Sequence, residues 1–156
     1  MSQNVKNIGL LSLDGGGVRG LASLIILQSV FHVLNSKIQS SDHISKFSFP
    51  LKPCHFFDLM VGTSTGGLIA IMLGTLGMTV DECIKNYLDL APKIFPKEGF
   101  ISRSKPGKLV RGALGSARFP AEVLEAEVKR LVHKYTSNGE NAVFDELPPS
   151  KDRSRV

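Results

Sequence analysis

Two glycine-rich motifs hold the residues whose types and spacing could do chemistry. The first is Asp14-Gly15-Gly16-Gly17-Val18-Arg19-Gly20, set between two apolar runs. Three chemistries are open to it. As G-x-G-x-x-G through Gly15, Gly17 and Gly20 it matches the dinucleotide fingerprint, where missing side chains let a pyrophosphate reach a helix N-terminus. That reading wants an acidic residue about 20 positions on, at the end of a second strand. Asp42 has the distance but lies in Gln39-Ser40-Ser41-Asp42-His43, which has no strand character. A P-loop would need Lys and then Ser or Thr after Gly20, and Leu21 and Ala22 stand there instead. The third chemistry is an oxyanion hole, in which glycine N–H groups in a tight turn face a developing negative charge. A glycine-rich turn without a ligand is the plain alternative.

The second motif, Gly62-Thr63-Ser64-Thr65-Gly66, is G-x-S-x-G between an apolar strand and a helix. In that context a serine is held on a strained turn with its Oγ exposed, and the flanking glycines give room where strand and helix backbones nearly touch. The helix N-terminus favours an alkoxide-like state at Ser64 by up to ~2 kcal/mol in partly buried geometries. Two strand-to-helix turns of this kind would share the carboxyl edge of one parallel sheet, where open α/β folds bind ligands. The base that would activate Ser64 is harder to find. Of the four histidines only His133 follows the serine, and it lies on an amphipathic helix; His32 is mid-helix, and His43 and His55 flank a loop and a strand start. A Ser-Asp-His hydrolase of the usual chain order is therefore disfavoured.

The elements that must position these motifs follow from periodicity. Val5–Leu13 reads as a buried strand, Asp14–Gly20 as a turn, and Leu21–Ile38 as a mostly apolar helix. A polar connection, Gln39–Lys52, leads to a second short strand within 53–61 that ends at Gly62. Thr65–Gly77 reads as a helix packed all round, and Thr79-Val80-Asp81-Glu82 is a capping-box sequence that should start a third helix running towards Phe95. Phe119-Pro120 opens an amphipathic helix with Val123, Leu124, Val128, Leu131, Val132 and Tyr135 on one face. Alternating strands and helices imply a parallel sheet with helices on its faces.

At 156 residues, with 42% apolar and 21% charged residues, the chain has the length and composition of one globular domain. With 2 tyrosines and no tryptophan, a base-stacking platform is disfavoured, and no nucleic-acid partner is expected. Neither Leu21–Leu34 nor Gly66–Met78 is expected to reach the roughly 20 residues of a membrane span, and the N-terminus is too short in its apolar run for a signal peptide. Cys54 and Cys83 make neither a disulfide framework nor a metal site and read as core or half-buried thiols, so a cytoplasmic location is expected. A net charge of +5 would suit an anionic partner, phospholipid surface or nucleic acid alike.

Taken together, Leu11-Ser12-Leu13-Asp14-Gly15-Gly16-Gly17-Val18-Arg19-Gly20 and Gly62-Thr63-Ser64-Thr65-Gly66-Gly67 resemble the patatin-like phospholipase family. The similarity spans nearly the whole chain and is strongest to the fungal branch, through Pro53-Cys54 before the Phe56-Phe57-Asp58-Leu59 strand and 76–83 after the nucleophile helix. The resemblance implies a three-layer α/β/α fold with a mainly parallel sheet, incomplete at the C-terminus. It also implies a Ser-Asp dyad that hydrolyses acyl esters of phospholipids or acylglycerols without calcium or another cofactor, peripherally at a membrane surface. By position, Ser64 is the nucleophile, Gly62 and Gly66 shape the elbow, and Gly15, Gly16 and Gly17 form the oxyanion loop. Arg19 would fix that loop or meet a lipid phosphate.

The family's dyad aspartate lies in a later Asp-Gly-Gly or Asp-Gly-Ala, and no Asp-Gly follows Asp14-Gly15: Asp58, Asp81, Asp89, Asp145 and Asp152 all lack the glycine. The polar tail 138–156 ends as if entering the family's next strand, so residues 1–156 are expected to be a partial domain. Its alternative role is that of a catalytically inactive fragment binding lipid or protein.

Between Gly99 and Ala121, Arg103, Lys105, Lys108, Arg111 and Arg118 stand among glycines and Pro106 with no acidic residue. The segment reads first as a solvated loop and second as a contact for anionic lipid, where each cation near the surface adds ~1 kcal/mol. Sedimentation with anionic liposomes separates the two. The lipid-contact reading expects binding that weakens with salt, screened over ~10 Å at 0.1 M, and that falls when Arg103, Lys105, Lys108 and Arg111 become glutamine. Binding unmoved by those substitutions leaves a loop.

Overall fold

The apolar runs that precede the two glycine motifs pair as parallel strands, β1 (Leu10–Leu13) and β2 (Leu59–Gly62), in the register Leu10↔Leu59 to Leu13↔Gly62. The computed structural model describes residues 7–40, 49–94 and 121–136. Within them β1 leads through a 3-10 turn (Gly17–Arg19) into α1 (Gly20–Gln39), and a second 3-10 turn (Pro53–His55) leads into β2. Then come α2 (Thr65–Ala70), a wide π-type turn that continues it (Ile71–Thr75), α3 (Val80–Ile94) and α4 (Ala121–Tyr135). Parallel strands need a crossover rather than a hairpin, and α1 supplies it. The fold is α/β, as expected, with two sheet strands among the described residues. The basic stretch 103–118, the tail 138–156, Asp42 and His43 lie outside the described residues.

Both strands are shorter than the apolar runs suggest. Before the ladder starts, Gly9 and Asp58 bond each other: the Gly9 N–H donates to Asp58 Oδ2 at 3.0 Å, and the Asp58 N–H donates to the Gly9 carbonyl at 2.8 Å. Leu13 and Met60 enter the core, whereas Leu10 is 56% and Ile8 72% exposed, so the expected buried strand over 5–13 is a short one with a single buried face. Residues 53–55 form a 3-10 turn rather than the head of β2. Proline suits the first position of such a turn, and His55 Nδ1 accepts the Lys52 N–H at 3.3 Å.

The core forms around α2 and its continuation. Ile69, Ala70, Met72, Leu73 and Leu76 are buried and join Leu24 and Phe31 of α1, Cys83 and Tyr87 of α3, and Leu131 and Val132 of α4 in one cluster. Phe31 meets Phe56 edge to face, ring centroids 5.6 Å apart, the arrangement that the ring quadrupoles favour. Both cysteines are buried thiols, and burial pushes the Cys83 thiol far above its ordinary pKa, which removes the reactive thiolate.

The capping box is formed as the sequence predicts. Thr79 Oγ1 accepts the Glu82 N–H at 3.2 Å and Glu82 Oε2 accepts the Thr79 N–H at 2.9 Å, so two donors at the start of α3 are satisfied reciprocally. One residue before Glu82, Asp81 accepts from Gln28 of α1 at 2.5 Å, which ties α1 to α3. On the other side of α3, Glu127 of α4 receives Lys93 at 2.5 Å and Arg130 at 2.9 Å. The Lys93 hydrogen bond above all holds the Glu127 carboxyl below the usual range. Its contribution is present at neutral pH and lost as pH falls through that lowered value.

The expectation that no segment reaches a membrane-spanning length is corrected by α1. With the preceding turn, Gly17–Gln39 makes 23 residues with a mean hydropathy of 1.5 in its most apolar window, because Ser23, Gln28, Ser29 and His32 interrupt the apolar residues without adding charge. Its start is nevertheless built into the turn after β1, and Gly20, Leu24 and Phe31 are buried against the core, while Ile25, Ile26, Val30 and Val33 are exposed.

The tightest contact in the fold is backbone on backbone. A Cβ placed on Gly66 would overlap the Leu13 carbonyl and lie 2.8 Å from the Asp14 oxygen, and one on Gly62 would overlap the Gly66 carbonyl. Gly66→Ala is therefore expected to destabilise the full-length protein by at least ~1–3 kcal/mol, as overpacking does, against ~1 kcal/mol for Thr79→Ala at the helix cap. Denaturant unfolding checks both, and a Gly66→Ala variant as stable as the parent would disprove the contact.

Candidate active site

The strand register decides where the two motifs meet. Because Leu13 pairs with Gly62, β1 and β2 end at the same level, and the turns that follow them leave from one edge of the sheet. The ladder runs one residue further through the Thr63 N–H, which donates to the Leu13 carbonyl at 3.2 Å. Ser64 comes next, and its backbone has φ 55° and ψ −122°. It is the one non-glycine residue with positive φ among the described residues. An L-residue held there stores ~1–3 kcal/mol of strain and persists only where its surroundings over-determine it.

The surroundings do so on both sides. Gly66 N–H donates to the Thr63 carbonyl at 2.9 Å and Leu68 N–H to the Ser64 carbonyl at 3.2 Å, which closes the first turn of α2. Gly62 and Gly66 bring strand and helix into contact. Ser64 is exposed and its side chain does not cap α2.

The Asp14–Gly20 turn lies directly against this elbow. A Cβ on Gly15 would be 2.6 Å from the Thr63 carbonyl oxygen and 3.0 Å from Ser64 Cβ, so only glycine fits beside the serine. Gly16 and Gly17 follow with φ of 140° and 60°, conformations open to glycine at little cost. Among the described residues, none of the Gly15, Gly16 and Gly17 N–H groups is engaged in a hydrogen bond. Three such free donors next to an exposed serine have the chemical character of an anion-binding turn. Arg19 donates its backbone N–H to the Gly16 carbonyl at 3.3 Å, and its side chain lies along Gly16, with Nε 3.7 Å from where a Cβ would stand.

The structure thus brings together Gly15, Gly16, Gly17, Arg19, Gly62, Ser64 and Gly66. It leaves the other titratable candidates elsewhere. Asp58 sits at the opposite end of β2 and holds the Gly9 amide. Asp81 is engaged by Gln28, and Asp89 is exposed on α3. His32 and His133 are exposed on α1 and α4, and His55 takes the Lys52 amide. Asp145 and Asp152 lie outside the described residues. Among the described residues, no group of three or more His, Cys, Asp or Glu side chains could hold a metal ion.

Sequence reasoning gave no part to Tyr87, yet its hydroxyl reaches the Asp14–Gly20 turn and donates to the Gly17 carbonyl at 2.5 Å. The available signal was a tyrosine at a core position of an amphipathic helix, since a buried phenol must find a partner.

Comparison with known proteins places the chain in a family. A family model described as patatin-like phospholipase matches residues 11–154. Patatin-like protein 2 of Oryza sativa subsp. indica is 33% identical over 113 residues, covering 69% of this chain and 26% of the relative. Phospholipase A I of Arabidopsis thaliana is 38% identical over 91 residues, 58% of this chain and 6% of the relative. Calcium-independent phospholipase A2-gamma of Homo sapiens is 32% identical over 101 residues, 64% of this chain and 11% of the relative. No solved structure gives a significant match. The chain spans about a quarter of the rice relative's length, 26%. With the family model covering all but the first ten and the last two residues and the two glycine turns joined at one sheet edge, the chain belongs to the patatin-like phospholipase family.

Proposed function

We propose that this chain carries the nucleophile and oxyanion loop of a serine lipid acyl hydrolase that cleaves phospholipid or acylglycerol esters. The observation that carries the reading is Ser64 held at φ 55° with Gly15 packed against it and three unused amides beside it. In this reaction Ser64 Oγ attacks the ester carbonyl carbon as its proton passes to a carboxylate base. The carbonyl electron pair moves onto oxygen, where the Gly15–Gly17 amides and the N-terminal end of α2 stabilise it. Collapse of that oxyanion breaks the bond to the alcohol oxygen, which takes the proton back from the carboxyl group and leaves as a lysolipid or glyceride. Water, giving its proton to the same carboxylate, then attacks the acyl-serine, and the fatty acid departs as that proton returns to Ser64 Oγ. The base is an aspartate in an Asp-Gly-Gly or Asp-Gly-Ala motif that residues 1–156 do not contain, the partner that the family pattern pairs with the serine. Substrate at a membrane surface, reached from the cytoplasm, completes the reading, and no metal is needed for these steps.

A second reading, favoured by the lack of any Asp-Gly after Asp14-Gly15, is that residues 1–156 alone bind lipid or protein without turnover. Ser64→Ala in a protein that includes the downstream aspartate is expected to bring hydrolysis of a short-chain ester to background while leaving the melting temperature within a few degrees. Turnover retained by the purified alanine variant overturns Ser64 as nucleophile. Residues 1–156 alone are expected to be slower by several orders of magnitude, as single losses from such a catalytic unit are. Equal rates from the two lengths would show that the base lies within these residues.

A further inference from the structure

Tyr87 is buried on α3, 2% exposed, and its hydroxyl is enclosed by both turns of the candidate site. It donates to the Gly17 carbonyl. A Cβ on Gly20 would stand 2.7 Å from the same oxygen and 3.0 Å from Ile69 Cδ1, which places the hydroxyl between the first turn of α1 and the body of α2. Thr65, the residue after Ser64, is 3% exposed, and its Oγ1 has no hydrogen-bond partner in good geometry among the described residues. That hydroxyl nevertheless lies close enough to work against the larger effect of burial, which raises the Tyr87 pKa. Tyr87 therefore stays a neutral donor.

What this donor holds is a carbonyl gripped from two directions, by the Gly20 N–H at the start of α1 and by the Tyr87 hydroxyl from α3. Gly16 and Gly17 both have positive φ and no side chains, so the plane of the peptide after Gly17 is set by whatever holds its carbonyl. Arg19 restrains the Gly16 carbonyl from within the turn. Tyr87 restrains the Gly17 carbonyl from a different helix, and that helix is itself fixed by the Thr79–Glu82 box.

We propose that Tyr87 is a positioning residue for acyl transfer: its hydroxyl pins the Gly17 carbonyl and so keeps the Gly15–Gly17 amides aligned on the oxygen of the carbonyl that Ser64 attacks. The role rests on the hydrolase reading above. An amide turn free to rotate still binds substrate, but it stabilises the oxyanion less, so the loss falls on the chemical step.

The test is Tyr87→Phe in the full-length protein, which keeps the ring and removes the hydroxyl, assayed with a short-chain p-nitrophenyl ester and by labelling of Ser64 with a fluorophosphonate. The expected result is a fall of about 10- to 100-fold in kcat, the scale of a small misplacement, with KM within twofold. The labelling rate falls in parallel, and the melting temperature stays within a few degrees. A variant with the parent's kcat, or with a raised KM and unchanged kcat, overturns the role of Tyr87 while the hydrolase reading stands. A parent protein that neither turns over ester nor is labelled at Ser64 overturns both. If the variant melts well below the parent, amide hydrogen exchange decides: faster exchange concentrated in residues 14–19 supports the positioning role, and a uniform increase across the core shows a merely structural one.

Discussion

Where β2 ends and α2 begins, the backbone doubles back with no side chain in between, and the whole site depends on that approach. Gly66 sits on the Leu13 carbonyl and Gly62 on Gly66, so strand end, elbow and the neighbouring strand are in contact through main-chain atoms. Between Gly62 and Gly66, the chain passes through a conformation that L-residues avoid, and the residue that adopts it is Ser64. The closeness also sets the distance between the two glycine turns, because Leu13, the residue on which Gly66 rests, is the last before the Asp14–Gly20 loop. A helix spaced from the sheet by ordinary side chains would separate the serine from the loop amides by several ångströms.

The helices then secure what the glycines bring together. α2 and the π-type turn that continues it pack into the core among α1, α3 and α4, and Ile69 of the helix and Met72 and Leu73 of the turn are almost fully buried. α3 has the most connections: it is started by its capping box, tied to α1 through Asp81 and Gln28, and tied to α4 through Lys93 and Glu127. Its buried face reaches the site loop through Tyr87. Electrostatics are thus spent mainly on half-exposed ties between helices, while the interior near Ser64 relies on packing and backbone contacts.

Much of this was legible in the residues. The capping box could be read because its bonds are local, each partner three residues from the other. The glycine turns could be read because their steric demands admit few residue types, and the α4 face because its apolar period is regular. The strand limits could not be read. Nothing in Ile8 or Leu10 says that the ladder starts only after Gly9, since the Gly9–Asp58 exchange joins residues 49 positions apart. The π-type turn at 71–75 has no local signature either, as Ile71-Met72-Leu73-Gly74-Thr75 fits an ordinary helix equally well. The place of Tyr87 was hidden for the same reason, its partner being 70 residues away. The membrane-length character of α1 was missed because its polar residues are uncharged and scarcely lower its mean hydropathy.

The backbone angle of Ser64 also bears on how copies of this domain would drift if the proposed hydrolysis were not selected. Glycine at position 64 would relieve the positive φ, whereas any side chain at Gly62 or Gly66 would drive the helix off the sheet. Drift in a lineage that keeps the fold but not the reaction should therefore erase the serine first and the two glycines last. The motif in such a lineage would survive as G-x-G-x-G, with the architecture of the elbow outlasting its chemistry.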